Sequence, residues 1–121
     1  MRMLIIDDSS TMRGLLAAIA AELGVGSEQA ADGRVALEVL ERHPSFELAL
    51  VDWDMPRMNG LEFVRAVRAR PEFSSLKLMM VTSHNAIEDV EVALASGADD
   101  FLMKPLDAEM VAEKLQVLGL L

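Results

Sequence analysis

At 121 residues the chain has the length of one domain. Its 52% hydrophobic and 26% charged residues can bury a core beneath a charged surface, which excludes wholesale disorder. The absence of cysteine removes disulfide frameworks, thiolate metal sites and cysteine nucleophiles, and a formal charge of −9 repels phosphate backbones and argues against direct nucleic-acid binding.

The apolar runs are too short to span a bilayer, and the start, Met1-Arg2-Met3-Leu4-Ile5-Ile6-Asp7, lacks the anatomy of a cleavable signal. With no repeat or linker to divide it, residues 1–121 are expected to form a single cytoplasmic domain.

In chain order, Met3 to Ile6 is the first continuous apolar run, followed by Leu48 to Val51, Leu78 to Val81 and Phe101 to Met103. Continuous runs suit parallel strands covered on both faces. A fifth strand is required between Val25 and Ala31, where the weak signal suits an edge position. Between the runs, apolar residues recur at helical spacing: Leu15, Ile19 and Leu23, then Ala36, Leu37 and Leu40, then Leu61, Val64 and Val67. Ile87, Val90 and Leu94 mark a fourth helix, and Val111, Leu115 and Leu118 a fifth.

Asp32-Gly33 and Asn59-Gly60 signal turns before helices, Gly24 and Gly97 helix ends, and Asp107 an N-cap; Pro71 closes the third helix. Five repeats of strand then helix, joined by right-handed crossovers, predict a parallel α/β sheet with helices on both faces.

In such a sheet, ligands bind beyond the carboxyl ends of the strands. There the sequence places Asp7-Asp8 after the first strand, Asp52-Trp53-Asp54 after the third, Thr82-Ser83 after the fourth and Lys104-Pro105 after the fifth. Crowded carboxylates repel unless a cation sits among them, and oxygen ligands completed by water suit Mg²⁺. A lysine and a hydroxyl facing that cation would cradle a phosphoryl group, with an aspartate as nucleophile. Any one of these residues alone reads as a turn or cap. Their occurrence in order on four strands, at the one edge where this fold builds sites, gives the pattern its weight.

The motifs Asp7-Asp8-Ser9-Ser10-Thr11-Met12-Arg13, Asp52-Trp53-Asp54-Met55-Pro56-Arg57-Met58-Asn59-Gly60-Leu61-Glu62, Met80-Val81-Thr82 and Lys104-Pro105 resemble the receiver domain of two-component response regulators, nearest to its CheY-type chemotaxis members. The resemblance spans essentially the whole chain. It implies a doubly wound, flavodoxin-like (βα)5 fold with strand order 2-1-3-4-5. Asp52 is then the phospho-acceptor, served by a sensor histidine kinase. Asp8 and Asp52 ligate Mg²⁺ with the backbone carbonyl of Asp54, and Asp7 helps through water. Thr82 and Lys104 contact the phosphoryl group, and Phe101 holds the position of the family's aromatic switch. The surface of the fourth helix, fifth strand and fifth helix would then control a downstream protein. The Lys104-Pro105 bond matches one that is typically cis in the family. A monomer that performs no turnover beyond its own phosphotransfer and dephosphorylation is expected.

Departures from the CheY type are Phe101 for tyrosine, Asp54 for asparagine and His84 for glutamate. By the resemblance Asp54 and His84 flank the approach of water to the phosphoryl group, so both are expected to tune its loss: Asp54 either orients the water or repels an incoming anionic phosphodonor, and His84 either holds the water when neutral or is only a solvated rim histidine. Small residues in the first helix (Gly14, Ala17, Ala18, Ala20, Ala21) reflect either helix propensity or a flat surface for a kinase helix.

Met3, Met79, Met80 and Met103 are expected in the core, Trp53 partly exposed, His43 solvated, and the tract Glu88-Asp89, Glu91, Asp99-Asp100 facing solvent. Two rivals remain. A haloacid-dehalogenase-like phosphatase shares the Asp-x-Asp but has Thr or Val where Pro56 stands, and its acidic pair follows rather than precedes it. The other is a receiver excised from a longer regulator; against this, the last helix lacks the arginine-rich pattern of receivers in winged-helix regulators.

Overall fold

Every residue of the third strand, Leu48 to Asp52, is buried, which demands cover on both faces of the sheet. A computed structural model describing residues 1–121 supplies that cover. The order is β1 (Arg2–Ile6), α1 (Ser10–Glu22), β2 (Gly26–Ala30), α2 (Gly33–Arg42), β3 (Leu48–Asp52), α3 (Gly60–Arg68), β4 (Lys77–Thr82), α4 (Ile87–Ser96), β5 (Asp100–Met103) and α5 (Ala108–Val117). All pairings are parallel, in the order β2-β1-β3-β4-β5, which is the flavodoxin-like (βα)5 arrangement. β2 is indeed an edge strand, and only Ala30 within it is buried.

Strand periodicity divides the core in two. Leu4, Ile6, Ala49, Val51, Leu78 and Met80 pack with Ala36 and Leu40 of α2, Phe63, Val64 and Val67 of α3, and Ala93 of α4. Met3, Ile5, Leu48, Leu50, Met79 and Val81 face the other way, onto Leu16, Ile19 and Ala20 of α1 and Val111 and Leu115 of α5.

Helix starts follow the local chemistry. Ser9, Asp32, Asn59 and Asp107 each cap a helix through a side-chain oxygen, and Asn59 with Glu62 completes a capping box. Gly97 ends α4 in the left-handed region at φ 119°. Pro71 stands beyond α3 and opens a single 3₁₀ turn, Pro71–Phe73.

Four expectations need correction. The buried face of α1 is Leu16, Ile19 and Ala20, whereas Leu15 is exposed, because this helix is apolar or small around much of its circumference and spacing alone does not fix its rotation. On α4 only Ala93 is buried; Ile87 and Leu94 lie outside, since the small residue is the one that lets the helix approach the sheet. Met103 is half-buried, as befits the end of edge strand β5. The acidic tract is not simply solvated. Asp99 accepts from Arg68 and from the Leu78 amide, both at 2.8 Å, Asp100 pairs with Lys114 at 2.9 Å, and Asp89 meets His84 at 3.3 Å.

Candidate functional site

Strand order reverses between β1 and β3, and the residues just beyond their carboxyl ends face a common crevice. The register sets the rest. Asp52 pairs with Val81, so Thr82 lies one step further along β4; Thr82 pairs with Met103, so Lys104 follows immediately on β5. Asp7 continues the ladder by donating its amide to Ala30 O at 3.1 Å, and Lys104 does so to Thr82 O at 2.8 Å. The Lys104-Pro105 bond is cis.

Asp7 is 1% exposed and Asp52 5%, whereas their neighbour Asp8 is exposed. Lys104 Nζ donates to Asp52 Oδ1 at 3.0 Å and stands 3.8 Å from Asp7 Oδ2. Burial pushes both carboxyls above the ordinary value. Asp7 is drawn partly back by the Ser9 amide and Asp52 by the bond from Lys104, while the acidic neighbours reinforce the rise. Carboxylate oxygens of Asp7, Asp8 and Asp52 lie within 4.8 Å of one another. Asp7 Oδ1 accepts from the Ser9 amide at 2.8 Å, but its buried Oδ2 has no hydrogen-bond partner. An orphaned carboxylate oxygen facing two others fits a hard divalent cation held by oxygen ligands. Asp54 contributes no carboxylate to this group.

Thr82 is 2% exposed, and its hydroxyl oxygen accepts from the His84 amide at 2.8 Å. Phe101 is half-buried against the α2–α3 side of the core, with Lys114 Nζ 5.1 Å from its ring centroid. Asp7, Asp8, Asp52, Thr82 and Lys104 are thus brought to one rim. Phe101 lies on the neighbouring edge strand, and Asp54 and His84 stand beside the rim.

His84 is the side chain whose setting differs most from expectation. Its Nε2 lies 3.1 Å from both carboxylate oxygens of Asp54, its Nδ1 3.3 Å from Asp89 Oδ2, and its ring stacks on Trp53 at 4.7 Å. The Asp54 contact foremost, and Asp89 after it, raises its pKa above 6.5. Both ring nitrogens are engaged, so a water held by His84 must displace one of the carboxylates.

Two contributors escaped the sequence reading. Arg13 donates to the Asp7 carbonyl at 2.7 Å and fixes the β1–α1 turn, and Asp89 holds His84 from α4. Arg13 lies one turn into the helix capped by Ser9, a position that could have marked it. Nothing in the sequence pairs Asp89 with His84.

Comparison with known proteins settles the family. The model of the response regulator receiver domain matches residues 3–116. The chain belongs to the response regulator receiver domain family. This receiver is 36% identical over 121 residues to a chemotaxis protein CheY homolog of Campylobacter jejuni, covering 98% of this chain and 93% of that protein. It is 35% identical to chemotaxis protein CheY1 of Helicobacter pylori over 118 residues, 97% of this chain and 95% of that one. The solved structure of chemotaxis protein CheY4 of Vibrio cholerae superposes with a TM-score of 0.89 at 33% identity, covering 96% of each chain. A probable response regulator/GGDEF domain protein contains the same fold over half its length, with a TM-score of 0.91 at 30% identity. The chain is a two-component signalling receiver, and nothing favours the dehalogenase-like phosphatase. No helix is long and apolar enough to cross a membrane.

Proposed function

We propose that this receiver, as one unit over residues 1–121, accepts a phosphoryl group from a sensor histidine kinase on Asp52. The supporting observation is the buried Asp52 carboxylate bonded to Lys104 beside the orphaned oxygen of Asp7. An Asp52 oxygen attacks phosphorus, the P–N bond to the kinase histidine breaks, and the imidazole leaves with that electron pair. The Lys104 ammonium moves from carboxylate to phosphoryl oxygen, where it neutralises growing negative charge, and the Thr82 hydroxyl donates a hydrogen bond. Mg²⁺ would be held by Asp8 and Asp52 with the Asp54 carbonyl, and by Asp7 through water, and would neutralise the remaining phosphoryl charge.

Thr82 turning toward the phosphoryl group releases the His84 amide and lets Phe101 repack, which reshapes the α4–β5–α5 surface for a downstream partner. Identity with the Campylobacter and Helicobacter proteins favours a chemotactic pathway. Apart from this self-catalysed transfer and the hydrolysis of the acyl phosphate by water, which Asp54 and His84 tune, the domain has no turnover.

The test is incubation with Mg²⁺ and acetyl phosphate. One hydroxylamine-sensitive phosphoryl group is expected in the wild type and none in Asp52→Asn. Labelling of Asp52→Asn at the wild-type rate overturns the reading.

A further inference from the structure

His84 ties three elements together beside the acceptor. Its amide bonds the Thr82 hydroxyl oxygen at the end of β4, its Nε2 meets Asp54 beyond β3, and its Nδ1 meets Asp89 in α4. Trp53, the residue next to Asp52 and the only tryptophan, lies flat against the imidazole with the planes 17° apart. Either carboxylate alone, on a partly exposed histidine, would be a weak restraint. Two carboxylates on opposite nitrogens and an aromatic face leave the ring little freedom.

We propose that Asp89 is a positioning residue for phosphoryl loss: from the first turn of α4 it pins the His84 ring on Trp53 and Asp54, so that neither ring nitrogen is available to water near the acceptor. The inference rests on the reading of Asp52 as phospho-acceptor. In phosphoryl loss, water attacks phosphorus, the bond between phosphorus and the Asp52 oxygen breaks, and its electron pair returns to the carboxylate. Inorganic phosphate departs, and the proton of the attacking water passes to solvent. With Asp89 removed, Nδ1 is free to orient that water. A partner that draws the first turn of α4 away from His84 would have the same effect, so engagement of α4 would shorten the phosphoryl lifetime.

The experiment compares five variants by the decay of acetyl-phosphate-labelled protein after removal of the donor, and by Trp53 emission before labelling. Asp89→Ala should speed decay about 3- to 10-fold, below the roughly 100-fold or more of a fully positioned acid–base group, and change Trp53 emission as the stack loosens. Asp89→Asn keeps an oxygen acceptor for Nδ1–H and should restore both readouts. Glu88→Ala controls for charge at a helix start whose cap, Ala86, offers no side-chain bond, and should match the wild type. The His84→Ala/Asp89→Ala double variant should decay like His84→Ala alone, because Asp89 acts only through His84. Asp89→Ala indistinguishable from Glu88→Ala in decay and emission overturns the inference while leaving the acceptor reading intact. A wild type that takes no label overturns both.

Discussion

Lys104, one residue beyond β5, reaches past β4 to place its ammonium 3.0 Å from Asp52 Oδ1 at the end of β3. Two interstrand spacings of about 4.8 Å separate the strands that carry them. A long side chain is therefore required, and the pair joins otherwise separate strand ends. Lys104→Met leaves the buried Asp52 oxygen without its donor. A loss of about 1–3 kcal/mol is expected at pH 7 in urea denaturation. The loss should shrink as pH falls towards the raised pKa of Asp52, where the carboxyl takes up its own proton and needs the ammonium less.

The raised pKa values of Asp7 and Asp52 fix the sign of a pH dependence. In the folded state both carboxyls hold protons to higher pH than in the unfolded chain. Their contribution to stability is therefore greatest in acid, and falls as pH rises from 3.8 through the folded values. His84, raised above 6.5, contributes stability that is present below 6.5 and lost as pH rises through its folded value. Urea denaturation without metal should show the first decline reduced in Asp7→Asn and the second absent in His84→Ala. Mg²⁺ at 100 times its dissociation constant should restore about 2.7 kcal/mol to the wild type at pH 7. A neutral-pH stability indifferent to Mg²⁺ contradicts the metal site.

Gly60 opens α3 directly beneath the acceptor strand. Its amide donates to Trp53 O at 2.8 Å, and an added Cβ would press on the Asp52 carbonyl oxygen and stand 2.9 Å from Trp53 Cα. These neighbours are backbone and cannot swing aside. Gly60→Ala should cost about 1–3 kcal/mol by overpacking, measured by thermal melting, and should slow labelling. Gly33→Ala should cost less, because there the nearest atoms belong to the flexible Met58 side chain.

Which of these features the sequence discloses depends on how many elements must agree. Leu48 to Val51 declares β3 because a strand covered on both faces needs an unbroken apolar run. Asp52, Thr82 and Lys104 are legible because each follows such a run. β2 is nearly silent, since Gly26 to Gln29 sit at the sheet edge and bury little. In α4 the apolar period points outward at Ile87 and Leu94, so spacing that implies core marks surface instead. The His84 bridge is invisible in one dimension, because Asp54 is 30 residues away and Asp89 lies on another element.

Phe101 packs its phenyl ring against the core while Lys114 covers it from α5. Lacking a hydroxyl, it couples through packing and through a cation–π contact of about 0.5–1 kcal/mol. On activation with Mg²⁺ and acetyl phosphate, amide shifts in the wild type should extend through α4, β5 and α5. In Phe101→Ala they should stop at the loops around Asp52 and Thr82, and in Phe101→Tyr they should persist. Wild-type shifts confined to those loops would contradict coupling through Phe101.

The identity of the phosphorylated atom is the claim on which the rest depends. Borohydride reduces an acyl phosphate, converting the modified aspartate to homoserine, and peptide mass spectrometry then reads which position changed. After treatment with Mg²⁺ and acetyl phosphate, homoserine is expected at position 52 alone. Homoserine at Asp7, Asp8 or Asp54, or at no position in a protein that carries label, would contradict the account.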